Sequence, residues 1–208
     1  FTQTQEPCQV GADIAVGSLI KNPGGGLAPT GGYIVGRQDV IDRVSYRLTA
    51  PGIGREVGSY AGSYQPFYQG LFLAPHVVAQ AVRTSVLAAA VCEALGMRST
   101  PAPDDRRTDI IQALELGTPE RLIAFCQGIQ MASPIDSMAL PEPWDMPGYQ
   151  HQVIMAAGTF VSGASIELSA DAPMREPYTA FLQGGLTYSH GKLALTRTFE
   201  YMQKKGLL

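Results

Sequence analysis

Apolar positions along the first half of the chain change period several times. Residues 10–20, Val-Gly-Ala-Asp-Ile-Ala-Val-Gly-Ser-Leu-Ile, read as a short strand that ends in a turn. Residues 31–36, Gly-Gly-Tyr-Ile-Val-Gly, read as the next strand, paired with the first. Residues 37–48 place Val40, Ile41, Val44 and Leu48 at helical spacing. Residues 49–69 are rich in glycine, serine and tyrosine and read as a loop with a short helix; so long a loop is usually functional or covered by a partner. Residues 71–95 give the strongest helix, stopping at Gly96. Its only charges are Arg83 and Glu93, so the pattern predicts burial on nearly all sides.

The second half opens after the proline-broken segment Ser99-Thr-Pro-Ala-Pro-Asp-Asp105, the best domain boundary in the chain. This divides it into residues 1–97 and 98–208. Residues 109–114 are strand-like. Thr118 followed by Pro119 starts a helix carrying Leu122, Ile123, Phe125 and Ile129. Residues 133–149 hold Pro134, Pro141, Pro143 and Pro147 without periodicity and read as a rigid loop. Residues 153–160, 164–169 and 178–182 read as strands, and residues 186–205 as a terminal helix with basic residues in its last turn. The order predicts an α/β segment, a long buried helix and a small α+β domain.

Composition sharpens this outline. Charged residues are 16% of 208, against about 25% in typical soluble domains. Such a shortage predicts that other protein covers much of the surface. The first segment also has too few strands to close a sheet, which predicts further sequence upstream. A net charge of −3 disfavours nucleic-acid binding. No run approaches 18 uninterrupted apolar residues, so no membrane span is expected. Cys8, Cys92 and Cys126 are odd in number and widely spaced, which suits the reducing cytoplasm rather than a disulfide framework. His76, His151 and His190 are equally scattered, so no metal site is expected.

The chemistry-bearing stretch is Gly17-Ser-Leu-Ile-Lys-Asn-Pro-Gly-Gly-Gly26. Lys21 follows an apolar strand and precedes a glycine run. One reading is a solvated lysine beside a turn. The other is a buried amine whose pKa falls, freeing it as a nucleophile. Ser18 lies three residues earlier, and the glycines can form an anion-binding nest. A lysine amine, a hydroxyl and backbone N–H groups suit pyridoxal phosphate, an aldehyde that forms a Schiff base with lysine. Ser18-x-x-Lys21 also fits the SxxK motif of serine acyltransferases, but the downstream Ser-Asp-Asn and Lys-Thr-Gly elements are missing.

That stretch resembles a known family, as do Leu48-Thr-Ala-Pro-Gly-Ile-Gly54, Ala124-Phe-Cys-Gln-Gly-Ile-Gln130, Pro141-Glu-Pro-Trp-Asp-Met-Pro-Gly-Tyr149, Arg175-Glu-Pro-Tyr178 and Gln183-Gly-Gly-Leu-Thr-Tyr188. It is the methionine gamma-lyase-like, or aluminium-resistance, family of pyridoxal-phosphate enzymes, related to cystathionine lyases. The resemblance covers nearly the whole chain. It implies the aspartate-aminotransferase-like fold, fold type I. Residues 1–97 then close the cofactor-binding large domain, and 98–208 form the small C-terminal domain. The chain would correspond to the C-terminal half or so of a member. The remaining half would supply the phosphate glycine loop, the ring-stacking aromatic and the ring aspartate.

The resemblance further implies a carbon–sulfur lyase acting on a sulfur-containing amino acid, with Lys21 as the Schiff-base lysine and general base. Ser18, with backbone N–H groups around Gly31 and Gly32, would bind the cofactor phosphate. Arg175 is the candidate for a substrate carboxylate; its other reading is an ion pair with Glu176 or Glu167. The implied partners are the N-terminal half and further copies, as a homodimer or homotetramer. A member that keeps the fold for assembly without catalysis is the competing reading. Other residues read more plainly: Asp13 as structural, Arg47 and Arg55 as loop anchors, His76 as a capping or core histidine, Cys126 as core, and Trp144 as packing or a substrate entrance.

Overall fold

A computed structural model describes residues 1–48 and 51–208; Thr49 and Ala50, part of the Leu48–Gly54 motif and of the predicted loop, lie outside the described residues. The chain opens with a 3-10 turn at Pro7–Val10 and a hairpin of β1 (Ile14–Ser18) and β2 (Gly32–Gly36). The two strands pair, as the sequence predicts, and run antiparallel, with Ser18 opposite Gly32. Helix α1 (Gln38–Leu48) follows and agrees with the predicted span. Asp13 pairs with Arg37 at 3.1 Å and so ties the hairpin to the start of α1. Arg55 reaches back to Asp42 on α1 at 3.1 Å, the anchoring role expected of it.

Helix α2 (Gln65–Ala94) starts six residues earlier than the pattern predicts and absorbs the short helix expected before it. It is buried along one stripe, Ala74, Val77, Val78, Ala81, Ser85, Ala88 and Cys92, which recurs at helical spacing. The expectation of burial on nearly all sides is therefore corrected. Tyr68, Leu71 and Phe72 stand on the surface, Phe72 at 84% exposure. An alanine-rich, nearly uncharged helix carries little information about which side faces inward. By length and composition α2 could cross a membrane, but 44% of its most apolar window is buried against the chain's own elements.

A five-stranded antiparallel sheet fills the rest, in the order β3-β4-β7-β6-β5. Its members are β3 (Ser99–Thr100), β4 (Ile111–Glu115), β5 (Val153–Ala156), β6 (Ser169–Pro173) and β7 (Thr179–Gln183). Helices α3 (Pro119–Met131) and α4 (Tyr188–Lys204) pack on each other, and α3 also lies against β5, β6 and β7. Both helices start at a threonine cap: Thr118 accepts from the Arg121 amide, and Thr187 from the His190 amide. Leu114, Phe125, Ile129, Ile154, Leu182 and Met202 form the core together with Ala88 and Cys92 of α2.

One strand falls elsewhere than predicted. Residues 164–168 form turns, and the strand begins only at Ser169. The cause is Glu167. Its carboxylate accepts from the Phe160 and Val161 amides at 2.7 and 3.0 Å, which curls the segment back on itself.

Candidate functional site

The site grows out of the turn after β1. Ser18 Oγ accepts from the Ile20 amide at 3.3 Å, and the Leu19 amide donates to the Gly31 carbonyl at 2.9 Å. The chain then makes one 3-10 turn, Asn22–Gly24, and leaves it through Gly25 at φ 54. This turn docks directly on α2. A methyl on Gly70 would collide with the Gly24 carbonyl, and one on Gly25 would come within 2.5 Å of the Gly70 carbonyl. Three glycines thus set how closely the Lys21 turn lies on the long helix.

Of the two readings of Lys21, the solvated one agrees with its placement: it is exposed, at the rim of a cavity, and not buried. Its Nζ donates to the Gly163 carbonyl at 2.6 Å, across 142 positions of sequence. Ser18 Oγ is engaged with its own turn, so Ser18 and Lys21 do not form the hydrogen-bonded pair an SxxK acyltransferase needs. Gly31 and Gly32 sit beside Ser18 at the end of the hairpin where the connecting loop begins and ends. These three do not line the cavity that Lys21 rims.

That cavity, about 140 Å³, lies on the sheet face turned away from α3 and is lined by Lys21, Thr159, Ser165, Ser169, Asp171 and Gln183 among others. Burial pushes the Asp171 carboxyl above the usual carboxylate range, and the nearby charge of Lys21 opposes the shift. Ser169 Oγ is buried with no hydrogen-bond partner among the described residues. The sequence reading missed Ser169, Asp171 and Gln183 as site residues. A signal was present: in Ser169-Ala-Asp-Ala-Pro173 small residues alternate with polar ones. Placing the strand at residues 164–169 obscured that alternation.

A second cavity, about 510 Å³, adjoins the first. Met155 and Asp171 line both. Arg175, Tyr149, His151 and Phe181 line the second. Arg175 is exposed and makes no ion pair among the described residues, so the pairing with Glu176 or Glu167 does not form. His76 is also exposed, in the body of α2, and is neither a cap nor a core residue. Cys126 is buried as expected, Cys92 is buried too, and burial pushes both thiols up to about 12. Among the described residues no group of His, Cys, Asp or Glu could hold a metal ion.

The sheet with its helical cover, the docked turn and the paired cavities define a mixed α/β chain with a lysine-bearing site on a sheet face. The family model for methionine gamma-lyase matches residues 1–203, and the chain belongs to that family. It is 56% identical over 208 residues to the uncharacterised protein YnbB of Bacillus subtilis, covering all of this chain and 49% of that one. A solved structure from Clostridium novyi, described as a carbon–sulfur lyase involved in aluminium resistance, matches with a TM-score of 0.89 and 53% identity over 95% of this chain and 46% of that one. One from Listeria monocytogenes, named as a candidate cystathionine beta-lyase involved in aluminium resistance, gives 0.89 and 54% over 95% and 49%. The chain spans about half the length of these relatives.

Proposed function

We propose that this chain is the C-terminal half of a fold-type-I pyridoxal-phosphate enzyme, a carbon–sulfur lyase of the cytoplasm acting on a sulfur-containing amino acid. The observation that carries the reading is Lys21, a primary amine held by a short glycine turn at the rim of a cavity that also holds Ser169, Asp171 and Gln183. Kinship with proteins named as carbon–sulfur lyases points the same way.

The residues present fit the cofactor in kind. Lys21 offers the amine for its aldehyde, and Ser18 with the backbone at Gly31 and Gly32 offers neutral donors for its phosphate. Ser18 lies three residues before Lys21, and Gly32 is the partner of Ser18 across the hairpin. When bound, pyridoxal phosphate supplies an electron sink for the carbanion left by loss of the substrate α-proton. Lys21 Nζ would take that proton and would deliver a proton to the departing sulfur, so that it leaves as a thiol. Arg175 supplies a guanidinium for a substrate carboxylate. In this reading residues 1–97 complete a large domain with an upstream half, residues 98–208 form the small domain, and the whole assembles as a dimer or tetramer.

The test uses the full-length protein loaded with pyridoxal phosphate. The holoprotein should absorb in the visible, and borohydride reduction should fix the cofactor on the Lys21 peptide in a mass spectrum. Lys21→Ala should lose both signals. A variant that keeps the visible band overturns the assignment.

A further inference from the structure

Asp171 carries a carboxyl that supports nothing in the fold. It makes no hydrogen bond or ion pair among the described residues. On β6 the core-facing residues are Ala170 and Ala172, so Ser169 and Asp171 share the opposite face. Register sets Asp171 between Met155 of β5 and Phe181 of β7, both apolar. Burial there raises its carboxyl, while Lys21 pulls the other way. Ser169 is 6% exposed, its Oγ has no partner among the described residues, and it lines the same cavity. Native structures seldom keep such a hydroxyl unpaired, so this face is prepared for a ligand. A strained carboxyl in a cavity beside a lysine is the arrangement that proton transfer uses.

Position gives Asp171 a part that Lys21 does not have. Lys21 lines only the first cavity, whereas Asp171 lines both. The carbon that gives its proton to Lys21 belongs in the first cavity, of about 140 Å³. The sulfur stands further along the substrate, and the group it carries away has room in the second, of about 510 Å³. A sulfur that leaves the first cavity for the second therefore departs beside Asp171. Few charged or titratable groups face that carboxyl. Lys21 comes from the turn after β1, Arg175 and the exposed His151 line the second cavity, and Cys126 lies across the sheet on α3. Arg175 keeps its charge and burial keeps the Cys126 thiol protonated, so neither exchanges protons with Asp171. Lys21 is the neighbour that gains a proton in the reaction.

We infer that Asp171 is the acid that protonates the departing sulfur and that Lys21 delivers its proton through this carboxyl. The inference rests on the lyase reading and deepens it. In a cysteine S-conjugate the electron pair left on the α-carbon closes a carbon–carbon double bond. The carbon–sulfur bond breaks, and its pair goes to sulfur. The Asp171 carboxyl gives sulfur its proton, so a thiol leaves. The carboxylate then takes the proton that Lys21 Nζ received from the α-carbon, and Lys21 is an amine again. The α-proton is thereby accounted for on the thiol.

Two conjugates test this on the full-length holoprotein, S-ethylcysteine and S-(4-nitrophenyl)cysteine. Ethanethiolate is a poor leaving group that needs a proton, whereas nitrothiophenolate departs as the anion. Asp171→Asn keeps the side-chain shape and has no acidic proton to give. It should lower kcat/KM about a hundredfold for the ethyl conjugate and less than about threefold for the nitrophenyl one. Equal losses on both, or a loss on neither, overturn the inference. If the variant does not load pyridoxal phosphate, the unsubstituted protein decides. Its solvent deuterium isotope effect on kcat/KM should be larger for the ethyl conjugate, and equal effects overturn the inference. If the holoprotein turns over neither conjugate nor their homocysteine counterparts, the lyase reading fails and the inference falls with it. Turnover of both with equal losses removes the inference alone.

Discussion

Glu167 is 3% exposed and spends its carboxylate on two backbone amides, Phe160 and Val161. The curl it holds contains Gly163, whose carbonyl receives Lys21. Glu167→Ala should therefore destabilise the chain by about 3 kcal/mol, read from the urea midpoint, because two buried donors lose a charged acceptor. An unchanged midpoint would mean that water replaces the carboxylate without cost. Asp171 makes a prediction of opposite sign. Its carboxyl is raised in the folded chain by burial, against the pull of Lys21. The folded chain then holds that proton more tightly than the unfolded one. The group's contribution turns unfavourable as pH rises from the unfolded value, about 3.9, through the folded one. Asp171→Asn should raise the urea midpoint at pH 7 and lose that advantage in acid. A lower midpoint at pH 7 would contradict the burial cost. Lys21 was legible in the sequence because a charge between an apolar strand and a glycine run is anomalous there. Ser169 and Asp171 were not, since the strand that carries them begins five residues later than its apolar content suggests.

The same contrast runs through the elements. Helix α3 was readable at its start, where Thr118 caps the first turn through a side-chain hydrogen bond, whereas Thr187, the cap of α4, falls inside the span predicted for that helix. The two-residue strand β3 was not, because so short a piece has no period. The buried stripe of α2 escaped for the reverse reason: nearly every position is apolar, so the phase is set by what it packs against. Gly70 is the point where that packing matters to the site. A side chain there meets the backbone of Gly24, which cannot withdraw as a flexible side chain would. Gly70→Ala should cost about 1–3 kcal/mol and displace the Lys21 turn from α2. Cofactor affinity of the full-length variant should fall with it, measured by the visible band against added pyridoxal phosphate. Full affinity in that variant would show that the turn holds its place without α2.

At the scale of the molecule, the shortage of charge now has an address. Tyr68, Leu71 and Phe72 form an exposed apolar strip on the first turns of α2, and Tyr60, Tyr64 and Phe67 cluster edge to face beside it. Under the proposed assembly this strip is covered by the upstream half or by another copy. Residues 1–208 alone should then bind a hydrophobic dye and self-associate in ultracentrifugation, and co-expression with the upstream half should suppress both. A monomer that binds no dye would speak against a covered face.

The bond from Lys21 to Gly163 has a consequence of another kind. An amine committed to that carbonyl must let go before it can engage anything else. The Gly163 carbonyl would then keep only the Ser165 amide, 3.0 Å away. Occupancy of the site should accordingly be written into the backbone of residues 160–167 as faster deuterium uptake, far along the sequence from the residue that does the binding.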